Sequence, residues 1–297
     1  KLDNINILTK KAGSMNYIAF KLGKWDDEKN EVVTDPNSKM YDLNLRKAIA
    51  YAIDMDAVSK QFYHGLSTPA KSQLSPLFPS LHNPEINGFK QDVEKAKQLL
   101  DEAGYKDVDG DGIREGKDGK PIKFTFAMMS GGDIAEPLSQ YYLQQWKNIG
   151  LNVELVDGRL LDFNNFYDRV EADDPAIDFC LAAIGFGSDP QQVSLFGKTA
   201  GFNISRYTSE TLEKALANTV SPEAIDDQKR AEFYKEYERV FMDELPIVPQ
   251  LNKYEYLVLN KRVKMFDWTE SMRAFGEEFD WSKLEVTAKE PLASETK

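Results

Sequence analysis

The stretch Asp42-Leu43-Asn44-Leu45-Arg46-Lys47-Ala48-Ile49-Ala50-Tyr51-Ala52-Ile53-Asp54-Met55-Asp56-Ala57-Val58 reads as two helix starts in close succession. Asp42 can N-cap a helix whose apolar residues Leu45, Ala48, Ile49, Ala52 and Ile53 recur at i, i+3, i+4, i+7 and i+8, which puts them on one face. Asp56 restarts a helix that carries Val58 and Phe62 and ends at Gly65. A loop with Pro69, Pro76, Pro79 and Pro84 follows. The next helix runs from Asp92 through Ala96, Leu99, Leu100 and Ala103, and Gly104 sits where a left-handed helix end is wanted. Another spans 134–149, with Leu138, Tyr142, Trp146 and Ile149 aligned and Gly150 behind them. Ser221-Pro222 opens a long helix through Ile225, Phe233, Tyr237, Val240 and Phe241. Strand-like pieces fall between the helices at 122–128, 151–156, 177–184 and 247–251. In the second of these, Leu151, Val153 and Leu155 alternate with Asn152 and Glu154, as a half-buried strand requires. Helix alternating with strand predicts an α/β fold with a mixed sheet flanked by helices.

The chain has 297 residues, 41% of them hydrophobic, which is ample for a sizeable core. At about 150 residues per domain, that length predicts about two domains. With 37 Lys and Arg against 49 Asp and Glu, the net charge is −12. Such a balance argues against nucleic acid as a partner, because phosphate neutralisation needs basic residues, and against a polybasic membrane anchor. Cys180 alone cannot form an internal disulfide, and no zinc-ligand spacing is available. The longest apolar run lies near 179–184, far short of the ~20 residues of a membrane-spanning helix.

Few residues offer chemistry. His64 and His82 are the only histidines, and they read as surface or capping groups. Cys180, in an apolar run, reads as a buried structural thiol. None of the common catalytic motifs occurs, so an enzyme is not expected; a carboxylate-dependent hydrolase is the alternative from another class. Asp107, Asp109 and Asp111 alternate ahead of Gly112, which places three carboxylates on one side of a turn as in calcium loops. A structural calcium is therefore the candidate metal, against a plain Asp/Gly turn with no cofactor. Gly185-Phe186-Gly187-Ser188-Asp189-Pro190 follows a strand directly. Two glycines around an aromatic let another backbone approach, and Asp189 could hold a cationic group. A loop with Asp before Pro is the simpler local reading.

Taken together, several segments resemble the extracytoplasmic peptide-binding proteins of ABC importers. The 42–58 stretch is similar to that family's hallmark, and Tyr17-Ile18-Ala19-Phe20 looks like the aromatic strand that precedes it. Glu94-Lys95-Ala96-Lys97-Gln98-Leu99-Leu100-Asp101-Glu102-Ala103-Gly104-Tyr105, Asp109-Gly110-Asp111-Gly112, Ile149-Gly150-Leu151-Asn152-Val153 and Leu245-Pro246-Ile247-Val248-Pro249 follow in family order. The resemblance implies a periplasmic-binding-protein-like lobe of the peptide-binding cluster, and a piece of a longer protein whose N-terminal lobe, signal sequence and lipid-attachment Cys are missing here. It implies a crossover segment at 1–20, the C-terminal α/β lobe at 21–250, a return segment at 251–287 and a disordered tail at 288–297. The implied function is capture of extended oligopeptides by a monomeric receptor outside the cytoplasm, lipid-anchored or periplasmic, for delivery to the membrane permease. Dipeptides, a peptide pheromone or a nickel chelate are the alternatives within the fold. By the family's G-(W/F)-x-x-D pattern, Asp189 would bind the ligand's α-amino group, with Phe186, Gly185, Gly187 and Ser188 around it and Tyr17 near the ligand. The basic residues that hold a peptide's carboxy terminus in some members have no clear counterpart, and Arg206 is the candidate.

Overall fold

The capping residues set the helices. In the computed structural model, which describes residues 3–264 and 285–294, Asp42 accepts N–H bonds from Asn44 (2.8 Å) and Leu45 (3.1 Å) and starts α1 (Leu43–Tyr51). The second start lies two residues earlier than expected. Asp54, not Asp56, caps α2 (Met55–Phe62) by accepting from Ala57 N, and Asp56 sits in its first turn, where a carboxylate suits the helix dipole. Asp92 and Gly104, the latter at φ 91°, bound α3 (Val93–Ala103). Then come α4 (Ala135–Asn148), α5 (Phe163–Glu171), the short α6 (Val193–Phe196), α7 (Glu210–Asn218) and α8 (Asp227–Glu244). The helix expected from Ser221 is divided. Pro222–Ile225 form a 3₁₀ turn, Asp226 goes extended and caps α8 through Lys229 N, and Ile225 is left 86% exposed. An Asp offering its side chain to the backbone favours a new cap over a continued helix.

The strands are β1 (Ile5–Phe20), β2 (Gly23–Asp26), β3 (Glu31–Thr34), β4 (Ser67–Pro69), β5 (Phe124–Ala127), β6 (Val153–Leu155), β7 (Phe179–Gly185), β8 (Ile247–Asn260), β9 (Val263–Lys264) and β10 (Glu285–Val286). Six of them form one mixed sheet in the order β4-β8-β1-β7-β5-β6, parallel across β7, β5 and β6 and antiparallel elsewhere. On one face Phe126, Phe179, Tyr142 and Trp146 interlock, with the Trp146 ring centroid 4.9 Å from Phe126 and 5.1 Å from Phe179. Trp146 Nε1 donates to Ile49 O, tying α4 to α1. Cys180 is fully buried, as expected, and burial pushes its thiol up to about 12.

The strand expected at 247–251 continues to Asn260 and pairs along nearly its whole length with β1. The outer halves of β1 and β8 leave the sheet as a two-stranded ribbon that exposes Ile7, Tyr256 and Val258. The described part of the tail is solvated but pinned to that ribbon: Leu292 N donates to Asn260 Oδ1, and Leu292 O accepts from Asn4 and Asn260. The rest of the expected return segment and tail, 265–284 and 295–297, lies outside the described residues.

His82 is not a surface group. Its Nδ1 lies 2.9 Å from the buried Glu238 carboxylate of α8, and its Nε2 lies 3.0 Å from Ser75 O. Both neighbours accept, so only the doubly protonated ring satisfies both. Ser72 Oγ and Asn83 N also donate to Glu238, which ties the Pro-rich loop to α8. Desolvation works against the imidazolium and Lys71 repels it, yet the Glu238 carboxylate prevails and the pKa lies above 6.5. The stabilisation is therefore complete below the unfolded value of 6.5 and is lost as pH rises through the higher folded value. We expect urea unfolding to show stability falling over that window, and His82→Gln to flatten the slope. An unchanged slope in the variant would show that other groups carry the pH dependence.

Candidate functional site

The margin of β7 ahead of the expected site is open because β5 leaves its neighbour. β5 pairs with β7 only at Phe179 and Cys180. Beyond Ala127 the chain turns to the other side: Met128 O accepts from Leu161 N (3.0 Å) and Ser130 N donates to Leu161 O (2.7 Å). On its other side β7 stays paired with β1 as far as Gly185, and Phe186 N donates to Gly13 O at 2.9 Å. Successive residues of a strand direct their backbone groups to opposite margins. Those of Phe186 are thus turned to β1, while those of Ala183 and Gly185 face the margin that β5 has vacated.

Two clefts flank this margin. One, of about 370 Å³, is lined by Ser75, Phe78 and the loop 185–192. Gly185, Gly187, Ser188 and Asp189 are exposed there, while Phe186 is half-buried and packs on the core. Asp189 Oδ1 accepts from Gln191 N at 3.0 Å, an Asx-type turn that fixes the carboxylate at the rim. Gln192 anchors the loop: its Nε2 donates to Gln73 O (2.8 Å) and its Oε1 accepts from Tyr237 of α8 (2.9 Å). Neither glycine has a positive φ. A Cβ at Gly185 would meet nothing nearer than Gly13 O at 4.0 Å. The fold of this chain therefore does not itself demand glycine at that position.

The other cleft, about 270 Å³, lies on the sheet face beside the same margin and is walled by Met128, Met129, Leu138, Leu181, Asn16 and Lys253, among others. Asn16 Nδ2 donates to Tyr63 Oη there. Strand parity separates Tyr17 from its neighbour. Tyr17 is 4% exposed, belongs to the buried core and lines neither cleft. Burial is the main reason its pKa is raised, and Cys180 and Tyr167 add to it. Asn16, Tyr63 and Lys253 were missed in the sequence because the elements that bring them together are far apart in it.

Arg206 does not reach the groove. It is 3% exposed and donates from Nε to Asp173 Oδ1 at 2.7 Å, beside Lys21, which holds the same carboxylate. Lys21 and Arg206 hold the Asp173 carboxyl below its usual value despite its burial.

The acidic turn also differs from expectation. Asp107, Asp109 and the buried Glu115 are the group, among the described residues, that could hold a metal ion. Asp111 is not in it; its carboxylate accepts from Ile113 N at 2.7 Å. Backbone donors already engage the others: Gly110 and Gly112 on Asp107, Asp111 N on Asp109 and Val108 N on Glu115. These bonds close the turn, and an ion would have to share the same oxygens.

The profile of the bacterial extracellular solute-binding proteins, family 5 (middle region), matches residues 1–203. The chain belongs to this family. It is 32% identical over 265 residues to the oligopeptide-binding protein OppA of Lactococcus lactis subsp. cremoris, covering 88% of this chain and 44% of that protein. It is 28% identical over 247 residues to the oligopeptide-binding protein AppA of Bacillus subtilis, covering 81% and 41%. Among solved structures, lactococcal OppA complexed with an endogenous peptide in the closed conformation superposes with a TM-score of 0.85 at 30% identity, covering 96% of this chain and 52% of that one. The B. subtilis AppA structure in complex with a nonapeptide, at TM-score 0.74 and 20% identity, shares the fold. This family 5 chain thus spans less than half the length of the curated relatives it matches.

Proposed function

We propose that this chain is the lobe of an ABC-importer solute-binding protein that receives extended oligopeptides along the vacated margin of β7. The observation that carries the reading is that margin itself: unpaired backbone at Ala183 and Gly185, flanked by two clefts, with an acidic side chain at its far end. A peptide added there as a strand gains main-chain hydrogen bonds that depend little on its side chains, and hydrated clefts accept varied residues. Glycine at 185, which the fold does not itself demand, leaves room for that second backbone. Asp189 takes the peptide's ammonium and sets the register, Ser188 and Gly187 line the same cleft, and Phe186 forms its wall. Tyr17 supports the sheet from within. The ribbon of β1 and β8, with Ile7, Tyr256 and Val258 exposed, leads to the other half of the protein. Closure of the two halves over the peptide presents a liganded shape to the permease.

The test is mass spectrometry of small molecules released on denaturing the full-length protein purified from its native host. Peptides of several residues with free amino termini are expected. Recovery of no peptide, together with no heat on titration of a mixed peptide library, would overturn the reading.

A further inference from the structure

Lys253 stands on β8 at the wall of the groove. Among the described residues no ion pair or side-chain hydrogen bond engages its ammonium. Burial alone pulls its pKa below the ordinary lysine value. It is the one charged side chain on the wall of the 270 Å³ cleft, otherwise lined by Met128, Met129, Leu138, Leu181 and neutral polar groups. The first turn of α4 adds Ile134 and Ala135 to that wall, and no side chain caps this helix, so its positive end reinforces the field. The exposed Glu136 is the carboxylate of that turn.

The ladder places this cation relative to the ligand margin. Lys253 pairs with Ser14, and Ser14 pairs with Gly185, so the three form one row across β8, β1 and β7. At about 4.8 Å per strand the Lys253 backbone is about 10 Å from β7 and about 14 Å from a strand added beyond it, across the small side chain of Ser14. An extended lysine and a glutamate side chain reaching toward each other over Ser14 together cover about that distance. A half-buried ammonium without a counter-charge carries a desolvation cost, and a ligand carboxylate would reduce it.

We propose that Lys253 is a specificity-determining residue that favours ligands presenting a carboxylate to this cleft; the inference rests on the peptide-binding reading above. The carboxylate is that of an acidic side chain in the first few residues, since the row through Gly185 lies close to the amino-terminal anchor. In a short peptide the terminal carboxylate has the same chemistry.

The experiment titrates the full-length protein with alanine octapeptide amides bearing one Glu at each of the first six positions, alongside all-alanine amide and short free-acid peptides. One Glu position should bind about tenfold tighter than all-alanine. Lys253→Met, or Lys253→Gln if the first variant is poorly folded by circular dichroism, should abolish that gain. Lys253→Arg should retain it. A Lys253-dependent gain confined to the short free acids would assign the carboxylate to the peptide terminus and uphold the proposal. No gain at any position, a gain surviving in Lys253→Met, or equal weakening of neutral and acidic peptides would overturn it. Failure of the all-alanine peptide to bind the wild type would instead overturn peptide binding itself.

Discussion

Asp189→Ala in the full-length protein should weaken binding of a free-amine peptide by a hundredfold or more. The carboxylate stands at the rim of the 370 Å³ cleft, fixed by the Gln191 N–H. If, as proposed, a second half closes over it, an ammonium there would lie in a site shielded from water. Removing one partner of such a pair costs about 3–5 kcal/mol, and each 1.4 kcal/mol is about tenfold. Asp189→Asn is the sharper variant. Its side-chain oxygen can still accept from Gln191 N, so the turn survives and the loss reports the charge. Because the side chain is exposed in this chain, neither substitution should move the melting temperature appreciably. An N-acetylated peptide should bind wild type and variant alike. Calorimetry that finds equal affinity of wild type and Asp189→Ala for the free-amine peptide would remove Asp189 from the site.

Arg46→Ala should lower the unfolding free energy by about 3–5 kcal/mol, although the residue lies in the most recognisable motif of the chain and touches neither cleft. Arg46 is 3% exposed. Its guanidinium donates to four backbone carbonyls: Met40 (2.9 Å), Tyr41 (2.5 Å), Glu244 (2.8 Å) and Leu245 (3.1 Å). Those carbonyls belong to the approach to α1 and the end of α8. Leu245 sits at φ 48°, an unfavourable conformation for a leucine, and Arg46 clamps that helix end. Burial pushes the guanidinium down to about 10, opposed by Tyr207, Asp42, Tyr41 and Glu244, and it stays charged at neutral pH. Truncation leaves several buried carbonyls without donors. Arg46→Lys should recover part of the loss, because an ammonium cannot reproduce the planar fork. Urea unfolding with an unchanged m-value checks this, and a cost below about 1 kcal/mol for alanine would show that water replaces the clamp. The motif's arginine thus acts in folding.

The local signals and the long-range ones fared differently. Asp42, Asp92 and Gly104 announced their helix ends because a cap is settled within a few residues of chain. Where two neighbouring aspartates competed, as at Asp54 and Asp56, or a new cap arose inside an apolar pattern, as at Asp226, the local reading slipped by a few residues. The loop 185–190 was also legible, since glycines around an aromatic after a strand are a local pattern.

The sequence by itself determined the α/β class, the capped helices and the family, because periodicity, caps and motif order are written within short stretches. Only the tertiary structure decided the rest. It extended β8 along β1 from the far end of the chain and set the parity that puts Asn16 in the groove and Tyr17 in the core. It also joined His82 to Glu238, replaced Asp111 by Glu115 in the acidic turn and set Lys253 on the wall of a cleft. Each of these depends on groups distant in sequence or on which way a side chain turns, and short-range preference carries no information about either.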